Sequence, residues 1–244
     1  MKPASRPSAG TLFVVATPLG NLSDITLRAI DVLKSVGAIA AEDTRRTRKL
    51  LSHFDVRTPL VSYHEHNEES ASRRIVERLH RGDDVALVSD AGTPLIADPG
   101  YALVTLAVRE GVNVVPIPGP SAVAAAVSAA ALPPLPFYFV GFLPRRSGAR
   151  KRKIQEVAGL RATLVFYESP HRIAASLSDL AEVLGDRRAV VARELTKIHE
   201  EFIRGTLSDL ARTAETDTWK GEIVVVVAGD EADRPGRRED GARP

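Results

Sequence analysis

Val85-Ala86-Leu87-Val88-Ser89-Asp90-Ala91-Gly92-Thr93-Pro94-Leu95-Ile96-Ala97-Asp98-Pro99-Gly100 is the stretch on which the reading of this chain turns. Its four leading apolar residues form a short buried strand. The loop after them holds two carboxylates, two prolines and two glycines, so it is stiff and shaped, as a small-molecule site requires. Ligands of open parallel sheets bind outside the carboxyl ends of the strands, which directs attention to the other strand ends. The first strand, Thr11 to Ala16, runs into Thr17-Pro18-Leu19-Gly20-Asn21-Leu22-Ser23-Asp24, and a later one runs into Pro118-Gly119-Pro120-Ser121-Ala122. The loop after the first strand is neither GxGxxG nor a Walker loop, so neither a dinucleotide nor a triphosphate is indicated. Each of the three loops alone is equally ordinary turn chemistry; three at one sheet edge argue for a site.

Around these loops, short β-branched runs alternate with helical patterns from residue 11 to 131, the mark of a mainly parallel sheet covered by helices. A helix capped by Ser23 or Asp24 and closed by Gly37 precedes strand 38–41, and a basic helix runs through Leu51. Strand 60–63 follows, then a helix carrying Ala71, Ile75 and Leu79 and stopped by Gly82, strand 112–117, and an alanine-rich helix over 121–131. Leu132-Pro133-Pro134-Leu135-Pro136 cannot continue a helix. The organisation expected is an N-terminal α/β domain over 11–132, a linker at 133–136 and a C-terminal α/β domain with a mixed sheet over 137–229. The second domain shows five strands and two clear helices, around 173–184 and 207–214. Residues 1–10 and 230–244 have too few apolar residues to pack and are predicted disordered.

With 244 residues and 44% hydrophobic composition the chain can bury a substantial core. It has no cysteine, and its six histidines show no metal-ligand spacing, so no metal is expected. The absence of a signal-peptide pattern, or of an apolar run approaching the ~20 residues that cross a bilayer, makes a soluble cytoplasmic protein with no membrane partner the expectation. A net charge of +2 is too small to argue for a polyanionic partner, but two clusters are dense. Arg45, Arg46, Arg48 and Lys49 form one; Arg145, Arg146, Arg150, Lys151, Arg152 and Lys153 form the other. Such clusters are either solvated faces or phosphate-binding footprints. With 5% aromatic residues and no RNP-like segment, base stacking on a sheet is not the recognition mode.

Tyr167-Glu168-Ser169-Pro170-His171-Arg172 joins a strand to a helix with groups suited to proton transfer or phosphate contact. The same residues fit a plain helix start, with Ser169 as cap and Pro170 first. Arg193-Glu194-Leu195-Thr196-Lys197 reads either as site or as surface ion pairs.

The segments VATPLGNLSD at 15–24, AAEDTRRTRKLL at 40–51, SYHEHNE at 62–68, LVSDAGTPLIADPG at 87–100, PIPGPSA at 116–122, FVGFLPR at 139–145, FYESPHR at 166–172, ARELTKIHEE at 192–201 and GEIVVVV at 221–227 together resemble the tetrapyrrole methylases. Within that superfamily they resemble the bacterial branch that methylates small-subunit ribosomal RNA.

The resemblance implies two α/β domains with AdoMet (S-adenosyl-L-methionine) in the cleft between them, a homodimer, and 2'-O-methylation of a cytidine ribose in the decoding region of 16S ribosomal RNA. The RNA would be met within the small subunit, with no DNA partner. It also implies cofactor contacts from Pro18, Leu19, Gly20, Asp90, Ala91, Gly92, Thr93, Pro120, Ser121 and Ala122, and from Phe142, Leu143, Tyr167, Ala192, Gly221 and Glu222. The basic clusters would meet RNA. A ribose hydroxyl is a poor nucleophile until it loses its proton, and candidates to receive it are Glu168, His171, Asp90 and Glu42-Asp43. The choice falls on Glu168, with His171 and Arg172 beside it, and Asp90 is read as shaping the cofactor pocket. Two other readings stand beside this one: a tetrapyrrole methyltransferase of the same fold, and a non-catalytic RNA-binding protein in ribosome assembly.

Overall fold

The computed structural model describes residues 9–230. The predicted disordered ends lie outside the described residues except at their inner edges, where the prediction is corrected. Gly10 is buried and donates its N–H to the Leu79 carbonyl at 2.7 Å, and the Asp230 N–H donates to Leu160 at 3.0 Å. The chain divides into two compact units, one ending at Ser121 and one beginning at Ala122.

The first unit is built on five parallel strands: β1 (Thr11–Val15), β2 (Ala38–Ala41), β3 (Leu60–Ser62), β4 (Val85–Val88) and β5 (Asn113–Ile117), in the order β3-β2-β4-β1-β5. Every residue of β2 and β4 is buried, which is why both read as continuous apolar runs. Their alternate residues serve two cores. Val85 and Leu87 join Leu12 and Ala40 against α3 (Glu68–His80) and α4 (Tyr101–Arg109), through Ile75, Leu79, Leu103 and Ala107. Ala86 and Val88 join Val15 and Ile39 on the other face, with Leu33 of α1 (Leu27–Ser35) and Leu51 of α2 (Thr44–His53). Each fully buried Leu or Ile contributes roughly 1.5–3 kcal/mol by leaving water.

This strand order contains a reversal. From β1 the chain crosses to β2 on one side; from β4 it crosses to β5 on the other, and β1 and β4 are neighbours in register, Val15 beside Val88. The loops after β1 and β4 therefore flank the switch point of the sheet, where a crevice for a ligand opens.

One predicted cap is corrected. Ser23 and Asp24 belong to a single 3₁₀ turn, Leu22–Asp24, started by the Asn21 side chain accepting from the Ser23 N–H. α1 begins three residues later, where Thr26 accepts from the Ala29 N–H.

The second unit holds α5 (Ala122–Ala129), β6 (Phe137–Phe142), α6 (Ser147–Gln155), β7 (Thr163–Glu168), α7 (Ile173–Leu184), β8 (Arg188–Arg193), β9 (Glu201–Thr206), α8 (Leu207–Thr216) and β10 (Ile223–Val227). The sheet order is β6-β7-β10-β8-β9, with β6 and β7 parallel and the other pairs antiparallel. Phe166, Val191, Ile223 and Val225 face the core made with Ile154, Leu177, Leu180 and Leu210 of α6, α7 and α8.

Three expectations change here. The division falls before α5 rather than in the proline-rich 133–136 segment, because Val123, Ala126 and Val127 are buried on a helix that packs on β10. The second unit has α6 in addition to the helices at 173–184 and 207–214. α6 escaped notice because its buried positions are Arg150 and Ile154, which leave no apolar period. Finally, α7 starts at Ile173 without a side-chain cap; Ser169 instead accepts the Arg172 N–H in a turn at 3.1 Å. Among the described residues no helix is long and apolar enough to cross a membrane.

Candidate functional site

At the carboxyl edge of the first sheet three loops are knitted together. Thr17 and Gly92 exchange backbone hydrogen bonds in both directions, at 2.9 and 3.0 Å. The Thr17 hydroxyl donates to the Ser89 carbonyl at 3.1 Å, and the Thr93 hydroxyl donates to the Pro120 carbonyl at 3.0 Å. Gly92 sits at φ +82°, where a side chain is strained, and a Cβ there would lie 3.1 Å from Leu19. Gly119 is packed closer still: its Cβ would meet that of Ala16 at 2.9 Å. The structure thus brings the segments holding Pro18, Leu19, Gly20, Asp90, Ala91, Gly92, Thr93, Pro120 and Ser121 to one edge, whereas Ala122 opens α5 of the second unit.

The long loop is pinned at its far end as well. Glu68 accepts the Gly100 and Ala102 N–H groups at 3.0 and 3.2 Å and the Tyr63 hydroxyl at 2.9 Å. Burial pushes the Tyr63 phenol far above its ordinary range.

Asp90 is fixed by two partners. One oxygen accepts the Asp43 N–H at 3.0 Å and the other pairs with Arg46 at 3.3 Å. Asp43 caps α2 by accepting the Arg45 N–H at 2.9 Å, and the hydrogen bond from the Arg45 side chain holds its carboxyl below the usual carboxylate range. Glu42 is shifted the other way. Burial raises its carboxyl, the neighbouring Asp90 and Glu65 add to this, and His64 and Arg46 partly oppose it. Nδ1 of His64 is buried and has no hydrogen-bond partner among the described residues.

The basic candidates divide. The Arg45 side chain is 85% exposed, and with Arg48, Lys49, Ser52 and His53 it lines a groove of about 570 Å³ on α2. Arg46 turns away to Asp90. On α6 and in the residues just before it, Arg145, Arg146 and Arg152 are exposed, but Arg150 is corrected: its side chain is 5% exposed, paired with Asp179 at 2.6 Å and bonded to the Arg145 and Ala175 carbonyls. A guanidinium so buried, with most of its five donors committed, is not presented to a phosphate. Lys151 reaches Glu182 at 2.6 Å and Asp179 at 3.6 Å, and Lys153 reaches Glu156 at 2.7 Å.

In the second unit, Phe142, Tyr167, Val224 and Ala192 occupy one row across the sheet, with the Phe142 and Tyr167 rings 5.5 Å apart, edge to face. Leu143 is buried in the helix-side core, so only its backbone is offered; its carbonyl accepts from Arg172 at 3.1 Å. Gly221, at φ +84°, leaves room for Glu194, whose carboxylate accepts the Glu222 N–H at 3.2 Å and Lys197 at 2.8 Å. The 193–197 segment is therefore an ion-paired brace.

Glu168 is placed differently from its expected catalytic part. Its side chain is 1% exposed and takes Arg172 at 2.5 Å, the Ser169 N–H at 2.7 Å and the Ser176 hydroxyl at 2.5 Å. In this structure the carboxylate is committed to these three partners and ties β7 to the start of α7. His171 is exposed, and Arg172 is bound to Glu168, Ser169 and Leu143.

Glu65, His64 and the Tyr63–Glu68 pair carried no assigned part in the sequence. The signal was there, in titratable residues standing directly after β3.

Residues 11–211 match the family model described as tetrapyrrole (corrin/porphyrin) methylases. The chain is 52% identical over 225 residues to ribosomal RNA small subunit methyltransferase I of Halalkalibacterium halodurans, covering 92% of this chain and 78% of that protein. It is 51% identical over 220 residues to the protein of that name in Bacillus subtilis, covering 90% and 75%. Among solved structures, a cobalt precorrin-4 methyltransferase of cobalamin biosynthesis superposes with TM-score 0.69 at 19% identity, covering 93% of this chain and 98% of that one. A diphthine synthase superposes with TM-score 0.71 at 20% identity, covering 90% of each. At such low identity the structural likeness speaks for the fold, and the sequence likeness for descent. The chain belongs to the tetrapyrrole methylases, and within them to the branch of ribosomal RNA small subunit methyltransferase I.

Proposed function

We propose that this methyltransferase uses AdoMet to methylate the ribose 2'-hydroxyl of a cytidine in the decoding region of 16S ribosomal RNA, in the cytoplasm, as a homodimer acting on the small subunit. The observation that carries the RNA reading is the arrangement of α2: its exposed cations line one groove, while Arg46 from the same helix pairs with Asp90 in the cofactor loop. Phosphate binding and the cofactor loop thus share one rigid element. The name of the relatives, ribosomal RNA small subunit methyltransferase I, supports the same substrate class.

The residues present fit AdoMet. Gly92 and Gly119 remove side chains where the loops pack closest, and Gly20 is exposed beside them, so backbone donors and acceptors can meet a nucleoside and an amino-acid group. When bound, AdoMet supplies an activated methyl on a leaving sulfonium. What the chain adds is alignment. Loops tied to each other before binding would hold the donor in a fixed orientation toward the acceptor, and such pre-orientation is worth up to about 7–11 kcal/mol of barrier in well-oriented systems.

The test is incubation of the chain with labelled AdoMet and either undermethylated small subunits, naked 16S RNA or a porphyrinoid. Label in a cytidine 2'-O-methyl group is the expected result. Label in the porphyrinoid would favour the tetrapyrrole reading, and transfer to none would favour a non-catalytic RNA-binding protein.

A further inference from the structure

We propose that Glu42 is the catalytic residue that takes the proton from the acceptor hydroxyl, with Asp90 and Arg46 as the positioning residues that hold its surroundings. The proposal rests on the reading of the chain as a ribose-directed methyltransferase and assigns the proton step of that same site.

The register of the sheet supplies the geometry. Ala41 of β2 stands beside Val88 of β4, and also beside Ser62 of β3. Parallel strands lie about 4.8 Å apart, so Glu42, Ser89-Asp90 and Tyr63-His64 leave the sheet next to one another on the edge that carries the knitted loops. Their carboxylates are used differently. Asp90 is held by the Asp43 N–H and Arg46, and Asp43 by the Arg45 N–H and side chain. Glu42 takes part in none of those bonds. Beside it, His64 Nδ1 is buried without a hydrogen-bond partner among the described residues, so two adjacent groups keep hydrogen-bonding capacity for something the protein does not supply.

The charged groups facing Glu42 are Asp90, Glu65, His64 and Arg46. Partial burial, followed by the two carboxylates, makes it a stronger base than an ordinary glutamate, which brings its proton affinity nearer the working pH. Asp90 is clamped by the Asp43 N–H and Arg46 while the neighbouring Glu42 is not, and the uncommitted carboxylate is the one placed for proton transfer. In the step, the ribose O–H bond breaks and its proton passes to a Glu42 oxygen. The hydroxyl oxygen forms a bond to the donor methyl carbon while the carbon–sulfur bond breaks, its electron pair staying on sulfur as a neutral thioether. Glu42 then releases the proton to water.

The experiment uses the full chain and three measurements on Glu42→Gln and Glu42→Asp: AdoMet binding by calorimetry, single-turnover transfer to undermethylated small subunits across pH, and carbon-13 NMR titration of the wild-type carboxyls. Glu42→Gln should bind AdoMet within about threefold of wild type and lose at least about 100-fold in single-turnover rate. Wild-type rate should climb with pH as the Glu42 carboxyl, titrating above the ordinary glutamate range, deprotonates; Glu42→Asp should keep a pH-dependent limb. A Glu42→Gln rate near wild type, or a Glu42 carboxyl titrating at or below the ordinary value, overturns the proposal. Failure of the wild-type chain to label RNA at all overturns the underlying reading, and the proposal with it.

Discussion

The helices α2 and α6 look alike in sequence, TRRTRKLLSH against SGARKRKIQ, and yet they use their charges in opposite ways. On α2 the buried positions are Thr47 and Leu51, so the cations project outward or, for Arg46, toward Asp90. On α6 a buried position is itself an arginine. Arg150 enters the packing against α7 and finds Asp179, which also accepts the Ser147 hydroxyl at 3.0 Å. Charge density along a chain therefore says little about which charges are available; the phase of the buried face decides.

The most forceful way to break this comparison is Arg150→Ala, which strands Asp179 in a buried site. About 3–5 kcal/mol of stability should be lost in denaturant unfolding, and a joint replacement of Arg150 and Asp179 by Met and Leu should recover most of it. An unfolding midpoint unmoved by Arg150→Ala would make α6 as superficial as α2. Next in size is the triple substitution of Arg45, Arg48 and Lys49 by Ala. We expect unfolding to be unchanged while RNA binding weakens and its log–log salt slope falls by about 2, at roughly 0.7 per contact with single-stranded phosphate. AdoMet affinity should not move. A smaller slope change should follow from Arg145, Arg146 and Arg152 to Ala, since these cations have no direct tie to the cofactor loop; an equal or larger change would place α6 on a par with α2 in meeting RNA.

The smallest effect concerns how the helices begin. α2 has the Asp43 cap and α6 has no side-chain cap. Because Asp43 titrates below its unfolded value, its contribution is complete above about pH 4 and is lost as pH falls through the lower, folded value. Hydrogen exchange at the Arg45 amide should accelerate in that window while the first turn of α6 shows no matching step.

Much of this was legible beforehand. Val85–Val88 and Ala38–Ala41 are buried on both faces, and continuous apolar runs announce such strands. The three loops were visible as glycine, proline and aspartate clusters, although their mutual bonding was not, because Thr17 and Gly92 are 75 positions apart in the chain. Periodicity failed where polar groups do packing work, at Arg150 in α6, and where a local turn overrode a helix start, at Asn21 and at Ser169. Glu168 misled for a related reason: a conspicuous carboxylate between strand and helix is equally a joint, and its enclosure by Arg172 and Ser176 shows only in three dimensions.

The reciprocal Thr17–Gly92 bonding has a thermodynamic consequence for ligand capture. Loops rich in glycine and proline ordinarily lose conformational freedom when a ligand orders them, and that loss is subtracted from affinity. Here the ordering takes place during folding. Binding at this edge should therefore show a small entropic penalty, and the Thr17 and Gly92 amides should be protected from exchange before any ligand arrives, as slowly opening as the strands from which the loops emerge.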